Sequence, residues 1–252
     1  MGRTSNRRNR ILDLIASGEE NVDVLARMFD VSTSTIRRDL AVMSEEGRIT
    51  RTYGGAVLAH AQSEQTLSTR EQLNGAAKEA IAIAAAAMIE DGDSVLLDAG
   101  STVGALGRLL PQRKLRVVTG NLSLVPVLAN TPDIDLCVLA GTVRPISMGV
   151  IGPLAEMTLR RITVDKVFLG ADGVVAGRGL CEARAEQTAL KELMIAQAAE
   201  VFVLADASKL GRATQPFWAL LPQRWTLITD ASATDEQLQP FARSSAVHII
   251  RA

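Results

Sequence analysis

The sequence has few of the residues that build metal sites and disulfide frameworks. Its 252 residues include two cysteines, Cys137 and Cys181, which lie far apart and form no CxxC pair. Neither a disulfide framework nor a zinc module is predicted. Its two histidines, His60 and His248, are too widely spaced for a His-rich metal site or an obvious Ser/His/Asp triad. The composition therefore disfavours metallohydrolases and serine hydrolases, and we expect neither a metal nor a cofactor.

Long apolar runs are also missing. The longest, Ala80 to Ile89, has ten residues, whereas a membrane-spanning helix needs about 18 or more. The run Ile11 to Ala16 is short and carries Asp13, so no secretion signal is predicted. The Met1-Gly2 start resembles an N-myristoylation site, but Asn6 stands where that site needs Ser or Thr, so no lipidation is predicted. With 47% apolar and 22% charged residues, we expect a soluble cytoplasmic protein with one large domain or two smaller ones, without a membrane partner.

The net charge of −1 conceals a basic N-terminus. Arg3, Arg7, Arg8 and Arg10 come before the first acidic residue. A short basic arm is by itself most often a solvated tail. The weight of that interpretation depends on the segment that follows.

Residues 1–57 predict three helices and a hairpin. The apolar residues of 11–15 form one helical stripe, and Asn21 is a good N-cap for a second, short helix. In the third segment, Ile36, Leu40 and Met43 fall within one narrow arc and are expected to pack inward. The opposite face carries Ser34, Arg37, Arg38 and Ala41 and no acid, which suits a helix in a major groove. An ordinary amphipathic surface helix is the alternative.

The next segment, Arg48 to Gly55, predicts a small β-hairpin because Ile, Thr and Tyr favour strands and paired glycines favour a turn. Arg48 and Arg51 on this wing would lie beside the phosphate backbone. The prediction is a winged helix-turn-helix DNA-binding domain over 1–57. The candidate DNA-contacting residues are Thr33, Ser34, Thr35, Arg37, Arg38, Arg48 and Arg51.

Residues 58–75 are rich in Gln, Ser, Thr, Asn and Ala, and this composition predicts an interdomain linker. Within it, Leu67 to Leu73 has enough apolar character to extend a helix.

Residues 76–252 alternate helical stretches with short apolar runs that end in Gly or a polar residue. This pattern predicts a parallel sheet covered on both faces. The six predicted strands are 94–97, 116–119, 136–139, 166–169, 201–204 and 226–229.

Polar residues at the carboxyl ends of such strands are expected to converge on a binding crevice. Gly100, Ser101 and Thr102 open a helix predicted over 103–110, where backbone N–H groups and two hydroxyls favour an anion. Taken singly, such a turn is most often a plain N-cap, and a lysine is most often a solvated surface group. The convergent candidates are Asp98, Ser101, Thr102, Asn121, Asp172, Asp206 and Lys209, with Lys78 and Arg144 as further partners of a phosphate or carboxylate.

The sequence contains neither GxGxxG nor GxxxxGK[ST], which disfavours dinucleotides and nucleoside triphosphates. A sugar phosphate needs a phosphate loop together with carboxylates and an amide that take hydrogen bonds from hydroxyls. Asp98, Asn121 and Asp172 have that chemistry. A sugar phosphate is therefore a candidate ligand of the crevice.

Two sets of motifs resemble the DeoR family of bacterial transcriptional repressors. The first comprises Val31-Ser32, Thr35 to Leu40, Gly47 and Arg51 to Ala56. The second resembles the family's effector domain, which is similar to ribose-5-phosphate isomerases: Lys78, Asp98 to Thr102, Gly141 to Arg144, Gly170 to Gly173, Glu186 and Asp206 to Lys209. The resemblance covers nearly the whole chain. One departure is Thr119-Gly120-Asn121, where the family more often has Thr-Asn followed by a polar residue.

The resemblance implies an α/β protein with an N-terminal winged helix-turn-helix domain and, over 76–252, a larger parallel-sheet effector domain like that of sugar-phosphate isomerases. It implies a transcriptional regulator, expected to repress a sugar catabolism operon, whose affinity for a double-stranded DNA operator is controlled by a phosphorylated sugar. Asp206 and Lys209 would take part in the response. A lone winged helix reads few base pairs, so a homo-oligomer is expected.

One alternative is an effector domain that still isomerises a sugar phosphate, with Asp172, Glu186 and Lys209 as base, acid and phosphate anchor. Against this, the similar enzymes carry a second acid directly after the aspartate, where this chain has Gly173, and a glycine-rich lysine loop, where it has Val174 to Gly179. We therefore expect no catalytic residues. A structural DNA-bridging protein would leave the polar strand ends unexplained.

Overall fold

A computed structural model describes residues 3–16, 21–46, 49–52, 55–58 and 66–252. Its helices are α1 (Arg3–Ala16), α2 (Val22–Met28), α3 (Thr33–Glu45), α4 (Leu67–Gln72), α5 (Gly75–Ala86), α6 (Ser101–Gly107), α7 (Val125–Leu128), α8 (Pro153–Leu159), α9 (Ala185–Ala196) and α10 (Asp235–Ala242). Its strands are β1 (Ile49–Thr52), β2 (Gly55–Leu58), β3 (Ser94–Leu97), β4 (Leu115–Thr119), β5 (Ile134–Val138), β6 (Thr142–Arg144), β7 (Gly149–Ile151), β8 (Val164–Leu169), β9 (Gly173–Val175), β10 (Gly179–Glu182), β11 (Ala198–Leu204), β12 (Phe217–Ala219), β13 (Trp225–Thr229) and β14 (Val247–Arg251). Within these ranges, no helix is long and apolar enough to cross a bilayer.

The N-terminal part is a helix-turn-helix followed by a hairpin. As predicted, Ile36, Leu40 and Met43 of α3 are buried, and they pack with Ile11 and Ile15 of α1. Strand β1 pairs antiparallel with β2. The second strand begins at Gly55, where the predicted hairpin segment ends, and extends three residues further to Leu58. The N-terminal arginines are also placed differently from the expected arm, since they belong to α1.

The larger part is built on a seven-stranded sheet in the order β14-β13-β11-β8-β3-β4-β5. All six neighbouring pairs are parallel. Six of the strands are those predicted from the sequence, with ends shifted by up to three residues. The seventh, β14, was missed because this edge strand contains His248 and Arg251 and is only partly buried, so it lacks a continuous apolar run.

Apolar side chains cover both faces of this sheet. Along β3, Val95 and Leu97 belong to one buried cluster, whereas Leu96 belongs to the other. This alternation is the strand period of two, with helices covering each face. Phe168 of β8 stacks on Phe202 of β11 with ring centroids 4.9 Å apart. Both faces are therefore closed to ligands, and a binding site must lie at a strand end.

The second half of the predicted linker is not an unstructured connection. Helix α4 occupies Leu67–Gln72 within it, capped by Thr66, whose hydroxyl accepts the Thr69 N–H at 3.3 Å. Leu67 is buried, and its N–H donates to the carbonyl of Ile146 at 2.9 Å. Residues 67–72 therefore pack on the larger domain. Leu58 ends β2, Thr66 caps α4, and residues 59–65 of the predicted linker lie outside the described residues.

A small antiparallel sheet, β12-β10-β9, lies beside the main sheet. Gly173 opens β9 at a point where the chain passes very close to another segment. A Cβ atom at this position would lie 2.0 Å from the backbone oxygen of Arg212 and 2.9 Å from Cys181 Sγ. No side chain fits there without movement of the backbone. This contact leaves no room for a second acid directly after Asp172 in this chain.

We expect Gly173→Ala to lower the free energy of unfolding by about 1 to 3 kcal/mol, because overpacking forces the backbone to shift. Urea unfolding followed by circular dichroism checks this. Gly75→Ala is the matched control, since a Cβ at Gly75 meets no atom within 4 Å and alanine favours a helix. Equal stability of the two variants would contradict the proposed contact.

Candidate functional site

Helix α3 presents a polar, acid-free face, as predicted. Its N-cap is Ser32, whose hydroxyl accepts the Thr35 N–H at 3.2 Å and lies 2.7 Å from the Ser34 hydroxyl. Arg37 and Arg38 are exposed one turn further along. Two exposed guanidiniums and a hydroxyl near the start of a helix are suited to contacts with phosphates and base edges. Thr33 and Thr35 are half-buried at the same end.

The opposite face of α3 contains a buried carboxylate, Asp39, which is only 2% exposed. Arg7 and Arg8 of α1 both bind it, with N to O distances of 2.7 Å and 2.9 Å. Because removing one partner of a buried ion pair is costly, these contacts fix α1 against α3. Two of the N-terminal arginines thus hold α3 in position.

The predicted wing is described only in part. Arg48 lies outside the described residues, and Arg51 lies on β1. Their expected contacts with DNA remain predictions.

A cavity of about 250 Å³ opens at the carboxyl ends of the parallel strands, where the sequence predicted a crevice. It lies beside the loops that follow β3, β4, β8 and β11. Eight of the eleven predicted effector-binding residues line it: Lys78, Asp98, Gly100, Ser101, Thr102, Asp172, Asp206 and Lys209. Helix α6 starts at Ser101, two residues earlier than predicted, so Gly100 is its N-cap.

Three predicted residues do not line the cavity. Asn121 is fully buried, and its Oδ1 accepts the Ser123 hydroxyl at 2.6 Å, so it stabilises a turn. Arg144 is buried outside the cavity wall; burial, together with the charge of Arg184, lowers its pKa. Glu186 is exposed in the first turn of α9. Direct ligand contacts by these three residues are therefore not supported.

Asp98 is already bound on both carboxylate oxygens. Oδ1 accepts the Ala99 N–H at 2.8 Å, and Oδ2 accepts the Gly170 N–H at 3.1 Å. Oδ2 also accepts a hydrogen bond from Lys191 Nζ. Asp98 therefore ties the end of β3 to the end of β8 and differs from the free hydroxyl acceptor that was predicted.

Lys191 is the centre of a buried ionic cluster that the sequence analysis missed. Its Nζ lies 3.1 Å from Glu182 Oε1 and donates to the Gly170 carbonyl at 2.8 Å. Although burial lowers the pKa of Lys191, the charges of Asp98 and Glu182 raise it, so the lysine is charged. One cation is thus shared by two buried carboxylates.

Glu182 is the titratable member of this cluster. Burial raises its pKa to about 7, and the charges of Asp172 and Asp98 add to this effect against the opposing attraction of Lys191. Its Oε2 accepts a hydrogen bond from Gln187 Nε2 at 2.9 Å. This contact requires the NH₂ group of Gln187 to face Glu182, which directs Oε1 elsewhere.

Cations surround another part of the cavity. Lys78, Lys209, Arg70 and Arg212 all line it. Burial lowers the pKa of Lys78, and the charges of Lys209 and Arg70 lower it further. Burial likewise lowers the pKa of Lys209, with Arg212 and Arg70 adding to this effect, while Asp172 opposes it. The repulsion among these cations is relieved by a bound anion.

Three acceptor oxygens in the cavity wall have no hydrogen-bond partner among the described residues. They are Asp172 Oδ2, Gln187 Oε1 and Gln215 Oε1, all buried. A buried polar atom without a partner costs about 1 to 3 kcal/mol. A ligand that stabilises this arrangement must therefore bring hydrogen-bond donors such as hydroxyls.

The missed residues come from elements outside the main sheet. Lys191 lies on α9, Glu182 ends β10, and Arg70 lies on α4. Lys191 does carry a signal in the sequence, because it shares the buried face of α9 with Thr188 and Met194, three positions away on either side. A lysine on an inward-facing helical stripe indicates a buried partner.

Within the described ranges, no group of three or more His, Cys, Asp or Glu side chains is placed to hold a metal ion.

A helix-turn-helix joined to a domain with a polar ligand cavity defines a ligand-responsive transcriptional regulator. Residues 7–62 match the model of the DeoR-like helix-turn-helix domain, and residues 73–231 match that of the DeoR C terminal sensor domain. The chain belongs to the DeoR family of transcriptional regulators, as the motifs indicated.

Several known proteins resemble the chain. It is 32% identical over 229 residues to the HTH-type transcriptional regulator YulB of Bacillus subtilis, covering 90% of this chain and 89% of that one. It is 30% identical over 247 residues to the lactose phosphotransferase system repressor of Lactococcus lactis, covering 96% of each. Among solved structures, ribose 5-phosphate isomerase A of Methanocaldococcus jannaschii aligns over 54% of each chain with 21% identity and a TM-score of 0.40.

The exposed face of α3 leads to a prediction about DNA. We expect Arg37→Ala and Arg38→Ala each to weaken binding to operator DNA obtained by in-vitro selection. Loss of a phosphate contact lowers the salt slope by about one, whereas loss of a base contact costs about 1 to 3 kcal/mol and relaxes specificity. Fluorescence anisotropy at several salt concentrations distinguishes the two.

Arg116→Ala is the matched control, because it removes the same charge from an exposed site on β4. Unchanged affinity in both α3 variants, or an equal loss in the control, would contradict the assignment of this helix.

The buried cluster leads to a prediction about pH. The pKa of Glu182 is raised from 4.5 in the unfolded chain to about 7 in the folded protein. The folded protein therefore binds the Glu182 proton more tightly than the unfolded chain does, and protonation stabilises the folded state. This contribution to stability is fully present below the unfolded pKa and is lost as pH rises through about 7. We expect the stability of Glu182→Gln relative to wild type to increase from about pH 5 to about pH 8.

Urea unfolding across this pH range measures the difference. Glu200→Gln is the control at an exposed glutamate, and its relative stability should change little. A flat difference for Glu182→Gln as well would mean that Glu182 keeps an ordinary pKa.

Proposed function

We propose that this protein represses a sugar catabolism operon and that a phosphorylated sugar in the cavity controls its affinity for the operator. One observation carries the proposal: a single cavity combines a cluster of cations with three unpartnered acceptor oxygens. A ligand that satisfies both needs an anionic group and several hydroxyl donors. The names of relatives, such as the lactose phosphotransferase system repressor, support a role in sugar metabolism.

The phosphate is assigned to the cationic part of the cavity. Lys78 and Lys209 supply positive charge, and Ser101 and Thr102 supply hydroxyls at the start of α6. Charge-assisted hydrogen bonds to a phosphate are about twice as strong as neutral ones. Burial, together with the neighbouring cations, lowers the pKa values of both lysines, and a dianion there would offset these effects.

The hydroxyls of the sugar are assigned to Asp172, Gln187 and Gln215. Each offers a buried oxygen without a partner, so each can accept one hydroxyl hydrogen. A sugar epimer that turns one hydroxyl away leaves such an oxygen unsatisfied, which costs about 1 to 3 kcal/mol. These three residues are therefore proposed to determine which sugar is bound.

We propose that the site senses without turnover. The candidate acid Glu186 is exposed outside the cavity, and Gly173 has no room for the second acid of similar isomerases. Glu182 and Asp98 are both engaged by Lys191. A general acid or base must reach the substrate proton. Asp172 lines the cavity and has an unpartnered oxygen, but Glu186 lies outside it and Asp98 and Glu182 are bound by Lys191, so Asp172 lacks an acid partner.

We also propose that the working form in the cytoplasm is at least a dimer. Helix-turn-helix proteins gain affinity when two copies bind half-sites separated by a helical turn or a multiple of it. Light scattering on the DNA complex tests this. A strict monomer bound to a single half-site contradicts it.

A thermal-shift screen against sugar phosphates and the corresponding unphosphorylated sugars tests the ligand class. A ligand at about 100 times its dissociation constant stabilises the folded state by about 2.7 kcal/mol. We expect only phosphorylated sugars to raise the melting temperature and to change operator affinity. Turnover of the bound sugar phosphate, followed by NMR, would instead favour the isomerase alternative.

The sensor assignment predicts variants that bind DNA but do not respond. Lys209→Ala removes a counter-charge, and Asp206→Ala removes the acceptor that binds Asn74 Nδ2 at 3.2 Å. A ligand shifts a conformational equilibrium only through its differential affinity for the two states. We expect both variants to keep operator affinity and to lose the response to the sugar phosphate identified in the screen.

Operator affinity with and without that ligand is the measurement. Lys114→Ala is the control, because Lys114 is exposed and does not line the cavity. A wild-type response in Lys209→Ala would place the effector site elsewhere.

A further inference from the structure

The connecting helix α4 takes part in the ligand cavity. It lies between the matched ranges of the two family domains, which end at 62 and begin again at 73. Arg70 of this helix nevertheless lines the cavity, together with residues of the strand ends. The segment that leads to the DNA-binding domain therefore provides part of the cavity wall.

Four hydrogen bonds help to hold α4 and its carboxyl-terminal end at this place. The Leu67 N–H donates to the carbonyl of Ile146 at 2.9 Å, and Arg70 Nη2 reaches the same carbonyl at 3.5 Å. Lys78 Nζ donates to the backbone carbonyls of Arg70 and Leu73. The lysine that faces the cavity thus also holds the carboxyl-terminal end of the connecting helix.

The Arg70 side chain is incompletely satisfied. Its Nε is buried and has no hydrogen-bond partner among the described residues. A guanidinium offers donors in a planar fork that matches the oxygens of a phosphate. Its charge also acts on Lys78 and Lys209, so it lies within the same group of cations. An oxyanion is the partner that satisfies this donor and offsets the repulsion.

We propose that Arg70 binds the anionic group of the effector, so that the helix joining the two domains is itself part of the ligand site. The inference rests on the proposed sensing function and adds how occupancy reaches the DNA-binding domain. With an anion bound, α4 is held from the cavity side through its guanidinium as well as through its backbone carbonyls. Ligand binding then restricts the segment to which the DNA-binding domain is attached.

The test uses the full chain and inorganic phosphate as the probe, at constant ionic strength maintained with chloride. Melting temperature as a function of phosphate concentration gives the affinity. Hydrogen exchange followed by mass spectrometry reports the amides of 67–73. For wild type we expect a rise in melting temperature and slower exchange in this segment.

Arg70→Ala is expected to bind phosphate roughly ten- to a hundredfold more weakly, as for loss of a charged hydrogen bond, and to lose the slowing of exchange. Arg70→Gln, which keeps most of the side-chain volume, replaces it if the alanine variant does not fold. Arg108→Ala is the matched control: it removes the 3.2 Å ion pair to Glu71 of the same helix but does not alter the cavity lining. It should bind phosphate as wild type does.

The outcomes separate the two proposals. Wild-type phosphate affinity in the Arg70 variants, combined with loss in Lys209→Ala, overturns the role of Arg70 and leaves the sensing function intact. If the Arg70 variants lose phosphate affinity but phosphate does not slow the exchange of the 67–73 amides in wild type, the coupling between the anion site and the connecting helix is overturned. No phosphate binding by wild type overturns the anion site and this inference with it.

Discussion

The ionic cluster around Lys191 holds the sensor site together. A buried ammonium needs compensating charge, and here it takes that charge from Asp98 and Glu182 while also binding the Gly170 carbonyl. These partners belong to three different parts of the fold: the end of β3, the end of β10 and the loop after β8. The cluster therefore fixes how the cavity wall is assembled. The acceptor oxygens and cations of the ligand site are positioned relative to it.

The sequence predicts those parts of the site that depend on sheet topology. Asp98, Asp172, Asp206 and Lys209 follow parallel strands, so the rule that ligands bind beyond the carboxyl ends places them correctly. Asn121 follows the same rule but fails to reach the cavity, because its side chain bonds Ser123 two residues later. The position of a residue at a strand end is predictable, whereas the direction of its side chain depends on local hydrogen bonds.

Residues contributed by elements outside the sheet could not be found in this way. Glu182 comes from a short hairpin strand and Arg70 from a helix in a segment whose composition indicates a linker. Their place at the cavity depends on tertiary packing, such as the burial of Leu67. The fold class was predictable for the opposite reason: it follows from the apolar periodicity of segments that recur along the chain.

The pairing of Arg7 and Arg8 with Asp39 has a consequence for how the protein searches a chromosome. Non-specific attraction to DNA grows with the number of phosphates that basic residues neutralise. Two arginines that are turned toward a buried aspartate add less to that number than their count in the sequence indicates. We therefore expect non-specific binding to DNA to be weaker than the arginine count of the sequence indicates, which would leave a larger share of the molecules for the operator.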